Sequence, residues 1–106
     1  MSERTTIKIG DRNDPNQNVG EATLGKNKKG SGNWLQGLFV KEDKRGQGYG
    51  KELINQAVQS SPGGLSLEVR TDNTTAVNLY QDCGFEIYDI ITDKSGNQYY
   101  RMRKTG

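Results

Sequence analysis

Residues 38–54, LFVKEDKRGQGYGKELI, contain the signals of a strand, a turn and a helix in direct succession. An apolar run that ends at Val40 predicts a strand, and RGQGYG at 45–50 predicts a glycine-rich turn. From Tyr49 onward apolar side chains recur at helical spacing. A helix that begins directly after such a turn presents unpaired amides at the positive end of its dipole. The stretch therefore predicts a site for phosphate groups.

The spacing of the glycines separates this turn from three known phosphate-binding loops. Gly46, Gly48 and Gly50 allow close backbone approach, and Arg45 adds a permanently charged donor. The dinucleotide fingerprint GxGxxG requires a glycine at 51, and a P-loop requires a glycine at 45 with Ser or Thr at 52. These positions hold Lys51, Arg45 and Glu52. A kinase loop does not open directly into a helix. A tight turn that binds nothing is the alternative.

The residues before this stretch read as β-hairpins. The alternating segments at 5–9 and 19–24 predict two strands, and Trp34–Val40 predicts a third. The apolar side chains on both faces of the third strand predict a central strand that is covered on both sides. The segment Lys26–Gly32 predicts a basic, solvated hairpin tip.

The residues after the turn predict a helix, a strand, a second helix and two strands. The buried stripe of the first helix is expected at Tyr49, Leu53, Ile54, Ala57 and Val58. Alternation at 65–70 predicts a strand that leaves Glu68 on its polar face. The second helix is expected to bury Ala76, Leu79, Tyr80 and Cys83 and to end at Gly84 in the left-handed conformation. Strands at 85–91 and 98–103 complete the order β-β-β-α-β-α-β-β, an α/β (α+β) fold.

Composition bounds the function classes. With 106 residues and a net charge of +2, the chain predicts one domain (1–106) whose main partner is neither nucleic acid nor a membrane. A single cysteine precludes an intrachain disulfide and favours the cytoplasm. The absence of histidine excludes histidine-based metal sites and Ser-His-Asp triads, and no metal is expected. No apolar run approaches the ~20 residues of a membrane span, and the polar start is unlike a signal peptide.

Two motifs in sequence carry a resemblance to a known family. RGQGYG matches the R/Q-x-x-G-x-G/A loop of the GNAT superfamily of N-acetyltransferases, and LEVRTDNTTAVNLYQDCGF at 67–85 resembles the strand and helix that follow. The second motif is particularly similar to that of the ribosomal-protein alanine N-acetyltransferases. The resemblance implies a mixed, mostly antiparallel sheet with two helices, and acetyl-coenzyme A as co-substrate.

The resemblance also implies roles for the matching residues. The coenzyme's pyrophosphate would lie on the loop, and its pantetheine arm would pair with the third strand where two parallel strands splay apart; Asn73 would lie near the ligand. The implied coenzyme-binding set is Leu38, Phe39, Val40, Arg45, Gly46, Gln47, Gly48, Tyr49, Gly50 and Asn73. Glu68 would be the general base and Tyr80 the general acid.

Each role has a structural alternative. Tyr80 lies on an apolar stripe and reads equally as a core residue, and Glu68 reads as a solvated side chain. Asn73 reads as an N-cap. Cys83 reads as a small buried residue rather than a nucleophile, since no base lies beside it.

The segment before the third strand departs from the family pattern. Family members begin with a strand and two helices that wall the acceptor pocket, whereas 33 residues precede Trp34 here and read as a hairpin. We therefore expect an N-terminal hairpin (1–32), a coenzyme-binding strand, loop and helix (33–61), and the second motif with the C-terminal strands (65–106), with the N-terminal strand and acceptor-side helices missing.

Two functions are compatible with this expectation. The first is transfer of an acetyl group to a primary amine of a peptide N-terminus, a lysine or a small amine. The second is a non-catalytic acetyl-coenzyme A-binding or interaction module that has lost its acceptor site. A homodimer is compatible with either, because a small core with open sheet edges gains from a partner.

Overall fold

The computed structural model describes residues 4–26 and 32–105, which fold around one six-stranded sheet. Residues 27–31 of the expected basic turn lie outside the described part of the chain. In chain order the elements are β1 (Thr5–Gly10), β2 (Asn18–Lys26), β3 (Asn33–Val40), a short 3-10 helix (Glu42–Lys44), α1 (Tyr49–Gln59), β4 (Leu65–Arg70), α2 (Thr74–Asp82), β5 (Glu86–Thr92) and β6 (Gln98–Lys104). Neither α1 nor α2 has the length and hydropathy of a helix that could cross a bilayer.

The sheet is mixed and mostly antiparallel, which confirms the predicted fold class. Its strands run in the order β1-β2-β3-β4-β6-β5, and β3–β4 is the parallel pair in this order. Every other neighbouring pair is antiparallel. β3 and β4 run parallel because α1 connects them as a crossover.

One core joins both helices to the same face of the sheet. Leu53, Ile54 and Ala57 of α1 are fully buried, as the helical spacing predicted, and they join one cluster with Leu67 of β4. Met102 of β6 is also fully buried in this cluster. The core is thus a single layer between the helices and the sheet.

The buried stripe of α2 differs from the prediction. Val77 and Tyr80 face the core, whereas Ala76 and Leu79 are only half-buried. These two residues pack against the edge of the core cluster and also line a cleft beside the sheet, which is why they are only partly buried. The end of α2 agrees with the prediction, because Gly84 takes a φ of +94° directly after Cys83.

The expectation that both faces of β3 are covered is wrong for the described residues. Leu35 of β3 is buried, but Phe39 is 52% exposed. Phe39 lies opposite Glu21 of β2, on the face of the sheet away from the core cluster. In the described segments both helices pack on the other face, which leaves Phe39 open.

Candidate functional site

The strands β3 and β4 part soon after they meet. They pair at Asn33 with Leu65 and at Trp34 with Ser66, and the parallel ladder stops there although β3 has eight residues and β4 six. Gln36 is an extra residue on β3, since Leu24 pairs with Leu35 and Thr23 with Gly37. A bulge of this kind bends its strand, so it contributes to the divergence. Past Trp34 the edges of both strands therefore carry backbone groups that this ladder leaves unpaired.

The parting strands and α2 enclose a cleft of about 700 Å³. Its walls come from β3 residues 34–38, from β4 residues 67–70 and from the α2 side chains Ala76, Leu79 and Tyr80. This volume lies in the usual range of small-molecule sites. Because the strands pair at their beginnings, the cleft widens toward their carboxyl ends, where the glycine-rich turn begins and α2 starts.

The glycine-rich turn requires glycine at two positions. Gly46 and Gly48 have φ values of +78° and +88°, which side chains rarely tolerate. Gly48 is the N-cap of α1, and the first helical hydrogen bond runs from the Glu52 amide to the Gly48 carbonyl at 3.1 Å. The amides that precede Glu52 in this turn therefore have no acceptor within the helix. The turn is shaped as an anion site.

The long side chains of the turn bond back to the backbone before it. Arg45 Nε donates to the Val40 carbonyl at 3.1 Å, and Gln47 Nε2 donates to the Asp43 carbonyl at 3.5 Å. Arg45 uses Nε in this contact, so the N–H groups on its two terminal nitrogens stay available to donate to a ligand. The sequence did not predict the 3-10 helix Glu42–Lys44, which supplies part of this support.

Tyr80 lies in both the core and the cleft. It is 8% exposed, its ring centroid is 5.9 Å from that of Phe85, and it is one of the cleft-lining residues. Burial raises the pKa of the Tyr80 hydroxyl, with a smaller contribution from Cys83. The hydroxyl therefore keeps its proton at neutral pH and can act as a donor. Burial also raises the pKa of the Cys83 thiol, which opposes a nucleophilic role.

Glu68 lies on the polar face of β4 and reaches the cleft. Its side chain is 38% exposed, and its Oε2 accepts a hydrogen bond from Nε of Arg101 at 2.9 Å. Arg101 is the cross-strand partner of Glu68 on β6, and its other end lies 4.0 Å from Asp89. This arrangement holds the Glu68 carboxylate in place while leaving its other oxygen available to a ligand.

Asn73 is the N-cap of α2, which confirms the structural interpretation of this residue. Its Oδ1 accepts a hydrogen bond from the Ala76 amide at 3.3 Å. Asn73 also lines the cleft. The capping bond occupies the oxygen of the side-chain amide, so the nitrogen is the group that a ligand would meet.

The structure gathers part of the predicted set around the cleft. Leu38, Glu68, Asn73 and Tyr80 line it, whereas Phe39, Val40 and residues 45–50 lie outside its lining. The prediction missed Gln36, Gly37, Arg70 and Tyr99, which also line the cleft. A glycine inside a strand, as at Gly37, is a signal for a bulge or a close approach and could have indicated this wall.

The profile of the Acetyltransferase (GNAT) family matches residues 5–85. The chain belongs to this family. A 57-residue segment is 40% identical to the peptidyl-lysine N-acetyltransferase YjaB of Salmonella typhimurium, covering 54% of this chain and 39% of that protein. A 64-residue segment is 36% identical to the N-alpha-acetyltransferase RimI of Mycobacterium tuberculosis, covering 57% of this chain and 40% of that protein. The chain thus matches about two fifths of the length of these relatives.

Solved acetyltransferase structures share the fold. A Bacillus anthracis protein assigned as a streptothricin acetyltransferase, solved with acetyl-coenzyme A, is 28% identical with a TM-score of 0.73, covering 84% of this chain and 56% of that one. The Escherichia coli ribosomal-protein-S18-alanine N-acetyltransferase is 20% identical with a TM-score of 0.75, covering 94% of this chain and 67% of that one. The latter supports the fold alone.

Proposed function

We propose that this chain is an N-acetyltransferase that moves an acetyl group from acetyl-coenzyme A to a primary amine. The observation that carries the proposal is the cleft between two parting parallel strands, which opens toward a glycine-rich helix start. Family membership supports the same activity, and the related B. anthracis protein was solved with acetyl-coenzyme A.

The features of the site fit the parts of this coenzyme. The amides at 47–50 and Arg45 would bind the pyrophosphate, where the helix dipole favours negative charge. The pantetheine arm carries amides, and the unpaired edge of β3 at Leu38, Phe39 and Val40 would bond to them as one strand bonds to another. Asn73 would contact the arm from the start of α2. The coenzyme supplies a thioester whose acetyl group is activated for attack.

Glu68 and Tyr80 would carry the two proton transfers. Glu68 takes a proton from the ammonium group of the acceptor, so that the neutral nitrogen can attack the thioester carbonyl. As the new carbon–nitrogen bond forms and the carbon–sulfur bond breaks, the electron pair leaves on sulfur. The hydroxyl of Tyr80, which lines the cleft, donates its hydrogen bond and then its proton to that thiolate. The extra proton that remains on the new amide nitrogen then passes through solvent to the Tyr80 oxygen.

The acceptor in this proposal is an amine of a protein or peptide. Two of the relatives described above are named as a peptidyl-lysine N-acetyltransferase and an N-alpha-acetyltransferase. In the described residues the face of the sheet that carries Glu68 and Phe39 has no helix over it, so an extended chain can approach the cleft. A small amine is the competing acceptor, because the B. anthracis relative is assigned to streptothricin.

A coenzyme-binding module without catalysis is the second candidate, and one contact favours it. The hydrogen bond from Arg101 holds the Glu68 carboxylate at 2.9 Å. Because Arg101 is also the cross-strand partner of Glu68, this contact gives the carboxylate a role between β4 and β6 that needs no substrate. In this candidate the pair is structural, and the cleft binds acetyl-coenzyme A without transfer.

One pair of measurements tests both candidates. Binding of acetyl-coenzyme A to the chain is measured by calorimetry and by thermal unfolding, where ligand at about 100 times its Kd should stabilise the fold by roughly 2.7 kcal/mol. Release of free thiol is then followed with amino-terminal peptides, lysine peptides and polyamines as acceptors. Binding with transfer to one class of amine supports the enzyme, binding without transfer supports the module, and absence of binding removes both.

A further inference from the structure

The loop between β1 and β2 contacts the chain on both sides of the glycine-rich turn. No motif in that loop predicts these contacts. Asp11 of the loop is 5% exposed, and its Oδ2 lies 2.7 Å from Nζ of Lys44, which directly precedes the turn. Arg12 contacts Tyr49, the first helical residue after the turn. Residues 45–48 are therefore held between two anchors on one loop.

The contact of Arg12 with Tyr49 uses both its backbone and its side chain. The Arg12 amide donates to the Tyr49 hydroxyl at 3.0 Å, and the guanidinium lies 4.2 Å above the centroid of the same ring. Tyr49 is only 2% exposed, so the ring is a fixed platform. The position of the guanidinium is thus set by a buried side chain, and a cation over a tyrosine face is attracted to it.

This position places the guanidinium at the start of α1 beside Glu52. Its terminal nitrogen is 3.6 Å from Oε2 of Glu52 and would be 3.3 Å from a Cβ on Gly48. Glu52 lies in the first turn of α1, where its charge suits the helix dipole. The same charge repels an anionic ligand that binds to the amides of that turn. The Arg12 guanidinium carries the opposite charge beside that carboxylate.

We propose that Arg12, which the buried Tyr49 ring holds in place, is a positioning residue of the coenzyme site that neutralises Glu52 so that a diphosphate can bind at the start of α1. The proposal rests on the function proposed above. It adds the loop between β1 and β2 to the site, and it assigns to the Arg12–Glu52 pair a role in affinity rather than in turnover.

The test measures the Kd of coenzyme A by calorimetry for four proteins: the unchanged chain, Arg12→Ala, Glu52→Gln and the double variant. Both side chains are about half exposed, so each charge is worth up to about fivefold in Kd. Arg12→Ala should raise Kd about fivefold and Glu52→Gln should lower it by a similar factor. The double variant should return to within about twofold of the unchanged chain.

Two further variants serve as matched controls. Arg103→Ala removes another guanidinium that lies over a tyrosine ring, 4.8 Å from the centroid of Tyr88, and Glu86→Gln neutralises an exposed carboxylate on β5. Neither should change Kd. The effect of Arg12→Ala should also shrink when sodium chloride is raised from about 50 mM to about 500 mM, because salt screens exposed charges.

Each result bears on one proposal. If the unchanged chain does not bind coenzyme A, the proposed function fails. If it binds and the double variant is as weak as Arg12→Ala, charge cancellation is overturned. Should Arg12→Ala fail to fold, Glu52→Gln decides alone: a Kd equal to that of the unchanged chain overturns the inference, and a lower Kd supports it.

Discussion

Replacing Gly46 with alanine separates the stability of the glycine-rich turn from its ability to bind a ligand. Gly46 has a φ of +78°, and a Cβ built there meets no atom within 4 Å. The cost of Gly46→Ala therefore comes from the backbone conformation alone, about 1–2 kcal/mol for an L-residue in the left-handed region. For a domain of this size each kcal/mol lowers Tm by roughly 4–8 °C, so Tm should fall by about 4–16 °C.

The effect on ligand binding should be larger than the effect on the fold. In the proposed complex the amides of this turn face the pyrophosphate, and a methyl group there holds the phosphate oxygens away. Loss of one hydrogen bond to a charged group costs about 1.5–3 kcal/mol. The Kd of acetyl-coenzyme A should therefore rise by a factor of at least about ten.

Gly96 provides the matched control. It lies in the turn between β5 and β6 with a φ of +88°, and a Cβ there also meets no atom within 4 Å. Gly96→Ala should lower Tm as Gly46→Ala does, yet leave the Kd unchanged. Thermal unfolding and calorimetric titration of both variants, the latter at a temperature where each is folded, make the comparison. Equal Kd values in the two variants would refute the assignment of this turn to the pyrophosphate.

Three further substitutions probe the cleft and its support. Tyr80→Phe should lower kcat about 10²–10⁴-fold with little change in coenzyme Kd, because the hydroxyl acts as a proton donor; steady-state kinetics and calorimetry separate the two effects. Glu68→Gln should lower kcat over a similar range, since an amide cannot accept the ammonium proton. Asp11→Asn should destabilise the fold at pH 7, and the difference should shrink progressively as pH falls from about 4 through the lowered pKa of Asp11, as measured by urea unfolding at pH 7 and at several lower pH values.

The pH dependence in the third case follows from the Asp11–Lys44 pair. The hydrogen bond from Lys44 lowers the pKa of Asp11, so the folded state favours the carboxylate. That stabilisation is present above the unfolded-state pKa of about 3.9 and is lost as pH falls through the lower folded-state value. A constant difference between Asp11→Asn and the unchanged chain at all pH values would contradict this account. For the first two cases, unchanged turnover would remove the residue from the mechanism.

The order of elements could be predicted because each has a local signal. The alternation of side chains in β4 and the helical spacing in α1 predict burial patterns that agree with the structure. Gly84 marks the end of α2 for the same reason, since a positive φ at that point requires glycine. Such signals are read from neighbours along the chain and need no knowledge of tertiary contacts.

The walls of the cleft could not be predicted in this way. Ala76 and Leu79 have the spacing of core residues, and the sequence does not reveal that both also line a cleft. Arg12 lies 37 positions before Tyr49, and no local pattern links a loop arginine to that ring. The expectation that β3 is covered on both faces was wrong because an apolar side chain such as Phe39 does not indicate whether another element packs over it.

The division between backbone and side chains explains why the family can be identified while the acceptor cannot. The features that would hold the coenzyme are a helix start, two positive φ angles and two strand edges, and the glycines that permit them leave a mark in the sequence. The acceptor would be met by side chains such as Glu68 and Arg101, on a face without a helix in the described residues. Substitution of a charged side chain at a half-exposed position changes the free energy of unfolding by only about 0.5 kcal/mol. A panel of amines measured against one fixed coenzyme site therefore identifies the acceptor independently of the features that mark the family.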